Sequence, residues 1–165
     1  MPAPLVSVTP GEVFAVPLFV GDEPVNKRFG VHAFDGRGDE FAYLRTIAET
    51  GGAGIIVEVF ADVGPLDASL ERVVAAGRLF RPVAIAGLGI YKKRWRSIGV
   101  TPDYDRERDS CYSQIQLAIG PRDAPRLWQA GVETPISVED AQAYERWIVW
   151  LCDDLEKRII AELAG

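Results

Sequence analysis

The sequence predicts an α+β fold that is mostly β: an antiparallel curved sheet or partly open barrel with one short helix and a long C-terminal helix. Three observations predict it. Short runs rich in β-branched and aromatic residues recur between residues 12 and 119, separated by Gly- and Pro-containing turns. These runs follow one another with a single short helix among them, which favours antiparallel pairing over crossover connections. One sustained helical periodicity occurs, and it closes the chain.

The elements follow in order. Thr9-Pro10-Gly11 is a turn signal. Residues 12–20 (EVFAVPLFV) are apolar on both faces and read as a buried strand. Pro17 cannot donate to a ladder, which places it at an edge or a bulge. Residues 21–40 hold four Gly, one Pro and many charges, and read as a long loop or loose hairpin. In residues 41–49, Phe41, Tyr43, Arg45 and Ile47 alternate with Ala42, Leu44, Thr46 and Ala48. The glycines of 51–54 and the β-branched run 55–60 complete a hairpin. Residues 67–76 predict a helix with Asp67 as N-cap and an apolar stripe of Leu66, Leu70, Val73 and Val74. Strands are expected at 79–87, 94–100 and 111–119, with a polar loop at 101–110. Residues 120–136, with three Pro and two Gly, read as loop. Ser137 and Asp140 resemble a capping box. Tyr144, Ile148, Leu151, Leu155, Ile159 and Leu163 then recur at spacings of four and three. A helix over 138–163 would run about 39 Å at 1.5 Å per residue. Residues 1–136 thus read as a β-rich domain, and 137–165 as a helix packed on it or projecting from it.

At 165 residues, one domain with a substantial core is expected. No apolar run approaches the roughly 20 residues of a membrane helix. The N-terminus lacks a basic stretch followed by an apolar one, so a signal peptide is not expected and the cytoplasm is the expected compartment. Cys111 and Cys152 have neither metal-site spacing nor a disulfide framework, and both are expected to be buried.

The formal net charge is −6. Residues 92–100 carry four cations and no acid, so the rest of the chain carries −10. Such a surface repels phosphate backbones and attracts basic partners. The cations are concentrated in KKRWR (92–96). A nucleic-acid reader would combine Trp stacking with Lys and Arg contacts to phosphate. A strand there would turn Trp95 into the core and leave Arg94 and Arg96 on the rim, near the acids of 103–109. Structural use is therefore favoured, with a nucleic-acid-binding β-barrel module using Lys92–Arg96 as the alternative.

No catalytic constellation emerges. The single histidine, His32, has Asp35 nearby but no motif that identifies a nucleophile. The GGAG of 51–54 lies between strands and lacks the lysine of a phosphate loop. The DGRGDE of 35–40 misses the ligand spacing of a calcium loop. No metal and no cofactor are therefore expected. Asp103, Asp105, Glu107 and Asp109 fall at every second position. In an extended segment they would share one face and suit a basic partner. Asp35, Asp39 and Glu40 of the long loop, with Asp103, Asp105 and Asp109, are the candidate partner-binding residues.

PGEVFAVPL (10–18), the strand FAYLRTI (41–47), IIVEVFAD (55–62) and Trp95-Arg96-Ser97-Ile98-Gly99, in that succession, resemble the immunity protein 26 family of bacterial polymorphic toxin systems. The resemblance runs from about residue 9 to about residue 102 and leaves the terminal helix unexplained. It implies a mostly β, cytoplasmic protein with no catalysis of its own. Such a protein binds and neutralises a cognate protein toxin in bacterial competition, including type VI secretion. Gly11, Phe14, Trp95 and Gly99 match the pattern as structural residues: turn, core, core and tight backbone. The acidic surface suits a basic, nuclease-type toxin. No membrane partner is expected, and the chain is expected to be a monomer or a homodimer through its C-terminal helix.

Overall fold

The structure, a computed structural model, describes residues 8–165. β1 (Glu12–Pro17), β2 (Phe41–Glu49), β3 (Ile55–Gly64), β4 (Val83–Ile85) and β5 (Arg96–Val100) form the first sheet. Its spatial order is β4-β3-β2-β1-β5, and every pairing is antiparallel. β1 is apolar on both faces, and β2 largely so, because both faces of this sheet are covered by other elements. Pro17 therefore sits in an interior strand, not at an edge. It is tolerated because β5 does not reach it: the last pairing on that side is Ala15 with Arg96. The missing N–H interrupts no ladder to β5. The bulge in this pairing belongs to β5, where Ile98 is the extra residue opposite the Val13–Phe14 step.

The β2–β3 hairpin turns at residues 51–54 as expected. α1 (Leu70–Ala75) is shorter than the expected helix and is capped by Ser69, whose side chain accepts from the Arg72 N–H. Asp67 is left outside it. Of the strand expected at 79–87, only Val83–Ile85 pairs. The one at 94–100 starts at Arg96, after the short α2 (Leu88–Tyr91) and a turn with Lys93 at φ 62°. The expected loop at 101–110 contains α3 (Arg106–Ser110).

A second sheet takes β6 (Gln116–Ile119), β7 (Arg126–Gln129), β8 (Val132–Pro135) and β9 (Glu145–Arg146), in the order β8-β7-β6-β9. The expected loop 120–136 thus holds a hairpin. Its two-residue connection, Ala130-Gly131, has φ of 50° and 87°, the positive pair that a tight hairpin requires. Pro135 is accommodated because β8 is an edge strand.

The C-terminal helix is present, but it does not begin at 138. α4 (Val138–Ala141) is a single turn capped by Ser137, and the long helix is α5 (Cys152–Ala164). Between them the chain is extended because the sheet edges offer better backbone partners. β9 pairs parallel to β6, Trp147 N–H donates to Ala118, and Trp150 N–H donates to Ala84. The Trp147 ring meets Trp128 edge-on at 5.2 Å. One segment thereby ties the two sheets together, and neither sheet closes into a barrel.

Each face of the first sheet is covered. α5 inserts Cys152, Leu155 and Ile159 against Phe14, Val16, Leu44, Val57, Val59 and Trp95. On the opposite face two clusters stand apart. One packs Val13, Ala15, Phe41, Tyr43 and Phe60 under Phe29, Phe34 and Val73. The other packs Ile47, Ile56 and Ala84 against Ile115, Leu117 and Trp128 of the second sheet.

Candidate functional site

Between those two clusters lies a charged layer. Strand alternation puts Arg45 on the same face as Phe41, Tyr43 and Ile47, and the cross-strand register puts Glu58 opposite it. Both are buried, and Arg45 Nε donates to Glu58 Oε2 at 3.0 Å. Arg78 Nε donates to the other carboxylate oxygen at 3.1 Å. The Ser110 hydroxyl donates to Glu58, and the Tyr104 and Ser110 hydroxyls lie 2.7 Å apart. Arg45 also donates to the Asp109 carbonyl at 3.0 Å and to Thr101 Oγ1 at 3.3 Å. This layer seats residues 101–110 on the sheet. Gly11 completes the seat: at φ 89° its backbone lies so close to Tyr104 that an added Cβ would stand 2.5 Å from the ring.

The carboxylates of 103–109 do not form an extended acidic face, because α3 coils them. Asp105 caps α3, accepting from the N–H groups of Glu107 and Arg108. Glu107 accepts from Ser113 N–H and Oγ. Asp109 pairs with Arg108 at 2.9 Å and accepts from Asp105 N–H. Asp103 alone of the four has a carboxylate without a partner among the described residues. The Arg108 hydrogen bond, and after it the Asp105 N–H, holds the Asp109 carboxyl at about 2, below its ordinary 3.8. A pKa depressed on folding stabilises above the unfolded value and is lost as pH falls through the folded one. Asp109 therefore contributes fully above about pH 4 and loses its contribution toward pH 2. Asp109→Asn should flatten that part of an acid-unfolding curve followed by circular dichroism.

The other acidic segment belongs to the long loop. Phe34 anchors it, meeting Phe19 edge-on at 5.5 Å and Phe41 at 6.1 Å. Asp35 pairs with exposed His32 at 2.8 Å, and Glu40 pairs with Arg37 at 3.0 Å. Asp39 is exposed and has no partner among the described residues. Two open hollows flank Phe34. One, of about 350 Å³, is rimmed by Lys27, Arg28 and Arg37 over Phe19 and Phe29. The other, of about 400 Å³, is walled by Phe34, Phe41, Pro65 and Leu66, with Asp35 and Asp67 at its rim. Beside it the Tyr43 hydroxyl donates to the Pro65 carbonyl at 2.6 Å. Burial first, then the nearby Asp62 charge, pushes this phenol up to about 12, with Asp39 and Asp67 adding to it against Arg72.

Only part of the basic stretch is a surface feature: Lys93 is exposed and Lys92 half-buried. Arg94 is fully buried, in place of the rim position that a strand would give it. The strand begins only at Arg96, and the turn at Lys93 points Arg94 and Trp95 both inward. Arg94 makes two hydrogen bonds to Glu156 of α5, at 2.7 and 2.8 Å, and Trp95 Nε1 donates to the same carboxylate at 2.9 Å. Arg94 also donates to the carbonyls of Glu23 and Gly21. Arg96 is occupied with the carbonyls of Gly30, Val31 and Lys93, and its guanidinium lies 4.9 Å from the Phe34 ring. The neutralising acid is thus Glu156, not the 103–109 run. Glu156 was open to discovery in the sequence: with Cys152, Leu155 and Ile159 it occupies the buried stripe of α5, where an acid demands a partner. Cys152 is buried, but Cys111 is exposed, because it ends α3 in a left-handed conformation at the surface.

Comparison with known protein families matches residues 9–124 to immunity protein 26. The chain belongs to the immunity protein 26 family. The matched region contains the whole first sheet, the charged layer, both acidic segments and both hollows. It extends past Gly99 through β6, further than the sequence resemblance. β7, β8, β9 and α5 lie beyond it, although α5 supplies the counter-charge for Arg94. No curated protein and no solved structure matches the chain. None of the described helices is long and apolar enough to cross a membrane.

Proposed function

We propose that this immunity protein binds a cognate toxin and neutralises it by covering its active site or substrate surface. The observation that carries the reading is the placement of the two acidic segments. Phe34 packs on Phe41 and the Asp109 carbonyl receives Arg45, so residues 35–40 and 103–109 lie over one face of the sheet. Phe41 and Arg45 are four residues apart on β2, about 13 Å at 3.3 Å per residue. That spacing fits well within one partner footprint. The partner that suits this face carries a basic surface, as a nuclease-type toxin does. The chain acts in the cytoplasm as a monomer or homodimer. A nucleic-acid role for Lys92–Arg96 is not supported, since two of its residues are buried and Arg96 is tied to backbone carbonyls.

The acids differ in their use. Asp39 and Asp103 are free to meet a partner, Asp35 is exposed but shared with His32, and Asp105, Glu40 and Asp109 hold local structure and contribute mainly to the field. The test is association of the full chain with the toxin domain encoded beside it. Asp35→Lys, Asp39→Lys and Asp103→Lys together should slow association about tenfold or more at low salt, with the difference shrinking as salt rises. Unchanged rate and unchanged protection of toxin-expressing cells would show that the toxin docks elsewhere.

A further inference from the structure

We infer that Arg96 is a positioning residue for the toxin contact: it holds the long loop, residues 18–40, in the shape that presents Asp35 and Asp39. This deepens the immunity reading and rests on it. The loop contains no helix or strand, so its backbone groups need other partners. Most of its backbone hydrogen bonds close local turns. Three of these overlap from Gly30 to Arg37: the Ala33 N–H donates to Gly30, Asp35 to His32 and Arg37 to Phe34. Bonds of this kind shape the loop but do not fix it against the sheet.

Among the described residues, and apart from the exposed Lys157–Asp22 pair, the polar contacts that fix the loop come from residues 91–96. The Phe29 N–H donates to the Lys92 carbonyl at 2.9 Å, and Arg28 Nη1 donates to that of Tyr91 at 3.3 Å. Arg94 grips the start of the loop through the carbonyls of Gly21 and Glu23. Arg96 grips its middle. Nη1 donates to the Val31 carbonyl at 2.6 Å, Nη2 donates to that of Gly30, and Nε donates to that of Lys93 at 2.9 Å. The planar fork thus ties two chain segments together at three carbonyls. Gly30 is also the acceptor of the first overlapping turn, so Arg96 anchors the series that leads to Phe34 and Asp35. Burial lowers the Arg96 pKa and the Asp35 charge acts against it, but its hydrogen bonds go to carbonyls and not to a carboxylate. Arg94 is shared with Glu156 and the core, whereas Arg96 is not, so changing Arg96 separates the loop from the fold. A loop held in its bound shape loses less entropy on association, and that difference appears mainly in the dissociation rate.

Two measurements on the full chain, with Arg96→Lys and Arg96→Met, test this role. Lysine keeps the charge without the planar fork, and methionine keeps only an apolar stem. The first is hydrogen exchange, read beside the denaturant midpoint. The amides of Ala33, Asp35 and Arg37 are expected to exchange about tenfold or more faster in both variants, with the β1–β3 amides and the midpoint unchanged. Unchanged exchange at those three amides would overturn the proposal. A midpoint that falls along with their protection would make Arg96 a residue of the fold and overturn it too. The second is the kinetics of binding to the adjacent toxin domain. Dissociation about tenfold faster is expected for both variants, while Arg96→Lys, with its charge intact, keeps the wild-type association rate at low and high salt. A loosened loop with unchanged dissociation would overturn the positioning role while leaving the immunity reading intact. Failure of the wild-type chain to bind would overturn that reading and this inference with it.

Discussion

Glu156→Ala is expected to cost about 3–5 kcal/mol of folding stability, the range for breaking a buried ion pair from one side. Glu156 is the carboxylate that balances Arg94, and Arg94 is fully buried. Burial alone would lower the Arg94 pKa, yet the hydrogen bonds and charge of Glu156 outweigh it and raise it. Removing the acid leaves a cation in the core and deprives Trp95 Nε1 of its acceptor. Arg94→Met/Glu156→Leu, which removes both charges, should lose much less than the single change. Urea unfolding of the three proteins measures this. A loss below about 1 kcal/mol for Glu156→Ala would mean that α5 is not locked by this pair.

Arg45→Met is expected to cost about 3 kcal/mol or more for the same reason, on the other face of the sheet. It leaves Glu58 with Arg78, which is partly exposed and reaches only one carboxylate oxygen. It also frees the Asp109 carbonyl and so loosens the 101–110 segment that carries Asp103. Arg45→Met/Glu58→Met should recover part of the loss, because Arg78 can turn its charge to solvent. Denaturant midpoints of the two variants decide it. A single variant as stable as the wild type would show that Ser110 and Arg78 already satisfy Glu58.

The hairpin, the buried β1 and the presence of α1 were legible because local pattern and tertiary role agree there, although the cap of α1 is Ser69 in place of Asp67, α2 and α3 were not legible, and α4 was legible only within a longer helix. Alternation over 41–49 even placed Arg45 among Phe41, Tyr43 and Ile47 on one face. It could not show that this face is buried along its whole length, since a charged residue in an alternating strand ordinarily marks solvent. The 120–136 hairpin was hidden by prolines that an edge strand tolerates. The terminal helix was overextended because Ile148, Leu151 and Leu155 keep helical spacing while Trp147 and Trp150 take sheet partners that lie far away in sequence. The same non-local pairing hid the contact between Glu156 and Arg94. KKRWR looks like a surface cluster until an acid 62 positions away is brought against Arg94. Among the candidate acids, composition found the segments, but the caps and pairs that divide engaged from free carboxylates exist only in the folded chain.

We propose that this protein neutralises a toxin by covering it with the face that carries residues 35–40 and 103–109. The most direct measurement is hydrogen exchange of the full chain with and without the adjacent toxin domain. A stoichiometric complex is expected, with new protection confined to the 34–41 and 101–109 segments, together with loss of toxin activity. A neutralising complex whose protection falls instead on α5 or the β7–β8 hairpin would contradict it.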